Sequence, residues 1–191
     1  MVPARPPSTD HARSRRRDAH ENRRLLLTAS AEVLAENPSA SMDEIAARAG
    51  LGRATVYRHV AGRAELVHEV ADAALRTAGR AVQAATPEEG SARQALRRIL
   101  TALVQSGAEH RPLLLLGITR DTEFLAGRAD VLAPITDVVR RGVATGELRA
   151  DLDPVWAQHA LLSLLQTAVM VEQPDAVETV WSTLIEGWLP R

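Results

Sequence analysis

The chain has 191 residues, 46% of them hydrophobic and 25% charged, so it can bury a core in one domain or two small ones. It contains no cysteine, which excludes disulfides and thiol chemistry, and no apolar run reaches the roughly 18 residues that suggest a membrane span. The net charge of −1 hides an asymmetry, because residues 1–63 carry 11 arginines and 7 acidic residues, and residues 64–191 carry 12 arginines and 17 acidic residues. A basic end on an acidic body is typical of a protein that offers one end to phosphate, although a chance imbalance in solvated surface explains the charge equally well.

Residues 1–17 contain three prolines and five arginines, a composition that predicts a disordered arm. The arm either reaches DNA phosphates and the minor groove or is a solvated tail, and the composition favours neither. Because no apolar stretch follows the arginines, this start is not a secretory signal, and we expect a cytoplasmic protein. A first helix is then predicted from Asp18 to Asn37, with Leu26, Val33 and Leu34 on one face and Pro38 ending it.

Residues 41–63 predict two short helices joined by a tight turn. Ser41 and Glu44 have the spacing of a capping box at the start of the first, whose apolar face is Ile45, Ala46 and Ala49. Gly50 provides the left-handed residue with which helices commonly end, and Leu51 fills the angle between the helices.

The second short helix is predicted from Gly52 or Arg53 to His59, with Val56 and Val60 facing inward. This arrangement leaves Arg53, Thr55, Tyr57 and His59 free to face outward. A helix-turn-helix of this kind lays its second helix in the major groove of DNA and reads bases from its first residues.

Arg53 and Thr55 can reach base edges, whereas Ser41, Tyr57 and His59 are better placed for phosphate oxygens. Arg63 lies in the first turn of the next helix, where an anion meets free N–H groups. Tyr57 could instead be a half-buried ring, and His59 could interact only with the helix dipole. The predicted DNA-binding residues are Ser41, Arg53, Ala54, Thr55, Tyr57, Arg58, His59 and Arg63.

The rest of the chain predicts further helices and no strand, for an all-α fold of about nine helices. Pro134 is expected to kink or break one of them, and Asp153-Pro154 has the pattern of an N-cap followed by proline. The predicted helices span Arg63 to Ala85, Glu89 to Glu109, Leu113 to Thr119, Thr122 to Thr145, residues 153–172 and residues 174–189.

Residues 153–172 are apolar on nearly every side, so one small body cannot easily cover the helix that they form. Residues 174–189 carry a wide apolar stripe as well. Two such helices from each of two chains make a four-helix bundle, which predicts a homodimer through these segments. The alternative is that both helices cover only their own core.

The pattern over residues 23–66 resembles the DNA-binding head of the tetracycline-repressor (TetR) family. The matching residues are Ile45-Ala46, Ala49-Gly50-Leu51, Thr55-Val56-Tyr57, His59, Arg63 and Leu66, together with Leu26, Leu27, Ala29, Val33 and Leu34 in the preceding helix. Two positions differ from the family pattern: Val60 stands where the family usually has Phe, and Gly52 stands where Ser or Thr often caps the recognition helix. Glycine at the cap position costs only a few tenths of a kcal/mol of helix stability.

The resemblance implies a helix-turn-helix head at residues 18–62 and a helical ligand-binding and dimerisation domain at residues 63–191. It implies a dimeric regulator, most often a repressor, that binds a near-palindromic double-stranded operator and is released by a small-molecule effector. Position in the chain, rather than the resemblance, suggests His110, Phe124, Trp156 and His159 as ligand-binding residues; each could equally be core or surface. With five aromatic residues in the chain, the pocket should be mostly aliphatic, which disfavours a planar cationic drug.

Two other classes of protein fit parts of the sequence. One is a DNA-binding regulator with no small ligand, controlled by a protein partner. The other is an all-helical enzyme that carries a similar hairpin, but no phosphate loop, HExxH, nucleophile elbow or trustworthy metal-ligand spacing is present in the sequence. We therefore expect no enzyme activity, no metal and no cofactor.

Overall fold

The computed structural model describes the backbone of residues 9–106 and 122–190, and the side chains of residues 17–106 and 129–190. All regular structure in these ranges is helical. The elements are α1 (Thr9–Glu36), α2 (Met42–Ala49), α3 (Arg53–His59), α4 (Arg63–Ala84), α5 (Ala92–Gln105), α6 (Thr122–Ala144), α7 (Pro154–Met170) and α8 (Ala176–Val180), which a π-helical turn (Trp181–Ile185) and a 3-10 turn (Glu186–Trp188) continue. The all-α prediction is confirmed, and the predicted helix from Leu113 to Thr119 lies outside the described residues.

The start of the first helix differs from the prediction. Helix α1 begins at Thr9 rather than Asp18, so residues 9–17 are helical where we predicted a disordered arm. The arginines of this stretch are compatible with a helix, because arginine has a high helix propensity. Residues 1–8 lie outside the described part of the chain.

Helix α5 begins at Ala92 rather than Glu89, because Ser91 caps it. The Ser91 hydroxyl accepts a hydrogen bond from the Gln94 backbone N–H at 3.2 Å, and the Gln94 side chain accepts one from the Ser91 N–H at 3.2 Å. Helix α6 continues through Pro134, so the break that the sequence allowed at this proline does not occur.

The contacts divide the chain into two compact units, Met1–Val70 and Ala71–Arg191, so that α4 begins in unit 1 and ends in unit 2. The predicted border lay before Arg63, where α4 begins. The core of unit 1 consists of apolar side chains from the first four helices. Its fully buried members include Leu26, Leu34, Ile45, Val56 and Leu66.

Unit 2 has a core of its own, formed by the later part of α4 together with α5, α6, α7 and α8. Its most buried side chains include Leu96, Ile99, Leu100, Ile135, Leu161 and Ile185. The Asp153 carboxylate accepts a hydrogen bond from the Trp156 N–H at 2.6 Å, and Pro154 follows the cap, as the sequence predicts. None of the helices in the described ranges combines the length and the apolar character that crossing a membrane requires.

Candidate nucleic-acid interface and ligand grooves

Helix α2 is fixed at both of its ends. At its start, the Ser41 N–H donates to the Glu44 carboxylate at 2.7 Å, and the Glu44 N–H donates to the Ser41 hydroxyl at 3.3 Å, so the predicted capping box is present. The hydrogen bond from the Ser41 side chain lowers the pKa of Glu44, because it stabilises the ionised carboxylate. At its end, Gly50 takes the left-handed conformation with φ +66°, and the next N–H, of Leu51, reaches the Ala46 carbonyl at 3.0 Å.

Helix α3 begins at Arg53, two residues after Leu51, and is anchored by its inner face. Val56 and Val60 are each 1% exposed, whereas Tyr57 is 53% exposed. The Gly52 carbonyl accepts from the Thr55 and Val56 N–H groups, and no side chain caps the helix. The prediction that the valines face inward and the tyrosine faces outward is confirmed.

Arg53, the first residue of α3, is exposed but is not free. Its Nε and Nη2 donate to the two carboxylate oxygens of Asp43 on α2, which is an exposed, two-point ion pair. This hydrogen bonding, and then the charge of Asp43, raises the pKa of Arg53 above its usual value. Arg53 therefore faces outward, as predicted, but it is paired with Asp43, a contact that the sequence analysis did not predict.

The other predicted DNA-binding residues of α3 are distributed over its outer surface. Ala54 and Arg58 are exposed, whereas Thr55 and His59 are half-buried. The Thr55 hydroxyl accepts a hydrogen bond from Arg58 Nη2 at 3.1 Å. Ser41 is also exposed, although its hydroxyl is engaged in the α2 cap.

Arg63 lies where it was predicted, in the first turn of α4, but its guanidinium binds protein. Nη1 donates to the Ala40 carbonyl and Nη2 donates to the Pro38 carbonyl, both in the loop between α1 and α2. The side chain is half-buried. Arg63 thus ties the start of α4 to the segment that precedes the α2 cap, and the sequence pattern contained no signal for this contact.

Two further arginines link the helices of unit 1 through three ion pairs. Arg48 on α2 pairs with Glu36 at 2.9 Å and Glu32 at 3.5 Å on α1, and Arg23 on α1 pairs with Glu69 on α4 at 2.5 Å. Since α3 packs through its buried valines, these pairs stabilise the frame around it rather than the helix itself.

The described residues of unit 2 form two grooves that a small molecule could enter. One, of about 1060 Å³, lies between α4 and α5 and is lined by Ala81, Gln94, Arg97, Arg98, Thr101 and Gln105 among others. The second, of about 340 Å³, lies between α6 and α7 and is lined by apolar side chains together with Thr136, Asp137, Arg140, Gln158 and His159. Both volumes suit small ligands.

Of the four predicted ligand-binding residues, Trp156 and His159 have described side chains, and these two do not line a common groove. His159 is exposed and lines the smaller groove. Trp156 is 59% exposed and is not among the described lining residues of either groove. His110 lies outside the described residues, and for Phe124 only the backbone, in α6, is described.

At the smaller groove, sequence reasoning missed Thr136 and Gln158, each 8% exposed. The Thr136 hydroxyl donates to Gln158 Oε1. Asp43 was missed in the same way at the exposed surface of α2 and α3. No local signal marks these side chains, because their partners are 10 and 22 residues away in the chain.

Comparisons with known proteins agree with the helix-turn-helix geometry. The model of the family "Bacterial regulatory proteins, tetR family" matches residues 26–70. The chain is 33% identical over 181 residues to the HTH-type transcriptional repressor LfrR of Mycolicibacterium smegmatis, and the match covers 88% of this chain and 92% of that protein.

Solved structures extend the similarity to the whole fold. The crystal structure of LfrR from Mycobacterium smegmatis in complex with proflavine has a TM-score of 0.76 at 26% identity, covering 90% of this chain and 98% of that chain. The TetR family transcriptional regulator PfmR from Thermus thermophilus gives 0.71 at 27% identity, covering 87% and 99%. A gamma-butyrolactone receptor gives 0.74 at 23% identity, covering 91% and 90%, which reflects the fold alone.

The contacts of Arg63 lead to a prediction that separates support of the fold from phosphate binding. Arg63→Ala should lower the free energy of unfolding by about 1–3 kcal/mol, because it removes two charge-assisted hydrogen bonds to loop carbonyls. Urea denaturation measures this change. The matched variant Arg58→Ala, which removes an exposed arginine bonded only to Thr55, should leave the unfolding free energy nearly unchanged. If instead Arg63→Ala leaves stability intact and reduces the salt dependence of DNA binding by about one counterion, Arg63 contacts phosphate.

Proposed function

The chain belongs to the tetR family of bacterial regulatory proteins, and we propose that it is a dimeric, one-component transcriptional repressor that binds a near-palindromic operator and is released by a small molecule. The observation that carries the proposal is α3. Its inner valines are buried, and its outer surface presents Arg53, Tyr57 and Arg58 to solvent from a head braced by α1, α2 and α4. A short helix held in this way can enter the major groove.

The outer surface of α3 suggests a division of labour among its residues. Arg53 stands at the amino-terminal end of the helix, from which recognition helices contact base edges, and arginine pairs with the O6 and N7 of guanine. Tyr57 follows Arg53 after about one turn of the helix, and His59 follows after more than one turn. Both suit phosphate oxygens, which set the register of the protein on DNA. Ser41, Ala54, Thr55 and Arg58 complete the proposed contact surface.

The exposed face of α7 supports the proposed homodimer. Four large apolar side chains on this helix and the residue after it are exposed: Val155 (54%), Trp156 (59%), Met170 (51%) and Val171 (64%). They lie at the two ends of the helix, with the exposed His159, Ser163 and Thr167 between them on the same face. Exposed large apolar side chains at both ends of one helix face favour a protein partner, and closed two-fold dimers are the commonest arrangement.

The contribution of α8 to the dimer is smaller than its sequence suggested. Val180, Trp181, Ile185 and Trp188 are buried in the core of unit 2. This leaves Val177, Leu184 and Leu189, which are half-buried, for a partner. The proposed interface thus depends mainly on α7. For most of α8, the alternative given above applies, namely that the helix covers only the core of its own chain.

The smaller groove supports a small-molecule effector. Its described lining contains no aromatic ring other than that of His159, and its one ion pair, between Asp137 and Arg140, is internally neutral. This lining favours an uncharged, largely aliphatic molecule that hydrogen-bonds to the Gln158 amide. Because α4 belongs to both units, it is the element through which an occupied groove could alter the head.

The proposed DNA binding is tested by measuring affinity against salt. Log affinity should fall steeply and linearly with log salt, and Arg53→Ala should weaken binding to the selected operator by about 1–3 kcal/mol. Tyr57→Ala should weaken it by less and by a similar factor on every sequence. Arg93→Ala, which removes an exposed arginine of unit 2, is the matched control and should leave affinity unchanged. Affinity that is independent of salt would point to the enzyme alternative.

The proposed dimer is tested with Met170→Glu. Since this side chain is half exposed in the single chain, the substitution should leave the fold intact while placing a charge in the interface. Sedimentation velocity should then give a monomer, and operator affinity should drop with it. Ala144→Glu, an exposed position at the end of α6, should stay dimeric. A wild-type chain that sediments as a monomer contradicts the proposal.

The proposed effector is tested by thermal shift. A metabolite panel, with proflavine included because LfrR was crystallised with it, should contain a compound that raises the melting temperature and releases the operator; a ligand at 100 times its Kd adds about 2.7 kcal/mol. Gln158→Leu should abolish the shift, whereas Gln105→Leu, a glutamine of the larger groove, should keep it. The reverse pattern would move the site to the larger groove. A panel without any shift favours control by a protein partner.

A further inference from the structure

The ion pair between Asp43 and Arg53 joins the two helices of the reading head at its exposed surface. Arg53 Nε donates to one carboxylate oxygen of Asp43 and Nη2 donates to the other. The side chains are 72% exposed for Arg53 and 51% for Asp43. The pair is therefore part of the surface that the proposed function directs toward DNA, and it is not a buried structural contact.

The pairing leaves the guanine-reading edge of the arginine open. A guanidinium has five N–H donors in a planar fork, and Asp43 uses one on Nε and one on Nη2. The two N–H groups of Nη1 and the second of Nη2 remain. These form the end of the fork, which is the edge that meets the O6 and N7 of guanine.

The backbone that carries Asp43 is held in place by the capped start of α2, so its carboxylate has a defined position next to Arg53. Asp43 lies in the first turn of α2, between the Ser41 cap and the buried Ile45. A free arginine side chain has many rotamers, and it must lose this conformational entropy on binding a base. A fixed carboxylate removes part of that loss before DNA arrives.

The negative charge of Asp43 also disfavours a contact between Arg53 and a DNA phosphate. A phosphate approaching Arg53 along its Nε edge meets a carboxylate instead of a free donor. An exposed pair contributes little to stability, so its main consequence lies in what the arginine can bind. Selectivity of this kind arises when one contact is favoured and its competitors are penalised.

From this geometry we propose that Asp43 is a specificity-determining positioning residue, which holds the fork of Arg53 for a guanine and away from phosphate. The inference rests on the proposed function, because it requires that Arg53 faces DNA. The opposite possibility, that Asp43 withholds Arg53 from DNA, predicts changes of the opposite sign.

The test is selection from a random duplex DNA library with the full chain, followed by affinity measurements on the selected site and on its variants with the guanine replaced. Wild type, Asp43→Asn, Asp43→Glu, Arg53→Ala and the double variant Asp43→Asn/Arg53→Ala are compared. Glu21→Gln, which removes an equal charge from an exposed carboxylate on α1, is the control. Circular dichroism verifies that each variant is folded.

We expect the wild-type site to contain a guanine whose preference is lost in Arg53→Ala. Asp43→Asn should reduce that preference by about fivefold or more, while affinity for scrambled DNA stays equal or rises. Asp43→Glu keeps the charge but moves the carboxylate by one methylene, and should reduce the preference without raising scrambled-DNA affinity. In the Arg53→Ala background, Asp43→Asn should have no further effect on discrimination, and Glu21→Gln should keep the wild-type preference.

An unchanged or increased guanine preference in Asp43→Asn overturns the inference, and so does an effect of Asp43→Asn that persists without Arg53. A guanine preference that survives in Arg53→Ala also overturns it, because another residue is then the reader. If the wild-type chain enriches no sequence at all, the proposed function itself fails, and this outcome differs visibly from a selected site that is indifferent to Asp43.

Discussion

A helix of seven residues is not stable by itself in water, and α3 has seven. It exists because Val56 and Val60 are buried and because Gly50 turns the chain with a left-handed residue that a side chain would strain. Every property proposed for the outer surface of α3 depends on this anchoring of its inner surface. The capped α2 and the ion pairs from α1 keep the anchor in place.

Arginine carries all of the basic charge in this chain, and its structural uses differ from residue to residue. Arg63 donates to the carbonyls of the α1–α2 loop, and Arg98 and Arg141 donate to carbonyls of the segment between α4 and α5. Arg48 and Arg53 pair with carboxylates. Because the guanidinium fork suits carbonyls, carboxylates and phosphates alike, a basic residue in the right stretch of sequence is not thereby a DNA contact.

Unit 2 has a buried apolar core, but it also leaves large apolar side chains exposed on its surface. Its inner face buries two tryptophans, Trp181 and Trp188, whereas Trp156 remains on the outside of α7. Arg97 lies over the ring of Trp181, 5.1 Å from its centroid, and also pairs with Glu178. These two residues at α8 therefore have a partner within the same chain. The exposed apolar surface is consequently concentrated on α7, which is why the proposed dimer depends on this helix.

The amino-acid sequence alone predicts the all-helical class, the family resemblance, the capping box of α2 and the inward valines of α3. These features follow from residues within one or two turns of each other, so spacing is enough to predict them. It also predicted most of the candidate DNA surface, since outward positions on a short amphipathic helix follow from the inward ones.

The folded chain was needed to show which arginines are engaged and which apolar faces are covered. Arg53 meets Asp43 across the turn, Arg63 meets carbonyls more than 20 residues earlier, and the stripe of α8 turns into the core of unit 2 instead of away from it. The start of α1 at Thr9 likewise departs from the prediction, because a proline- and arginine-rich composition averages over residues that differ in helix propensity. The partner of a side chain depends on where the backbone brings distant segments together. Periodicity in the sequence does not indicate which distant segments will be neighbours.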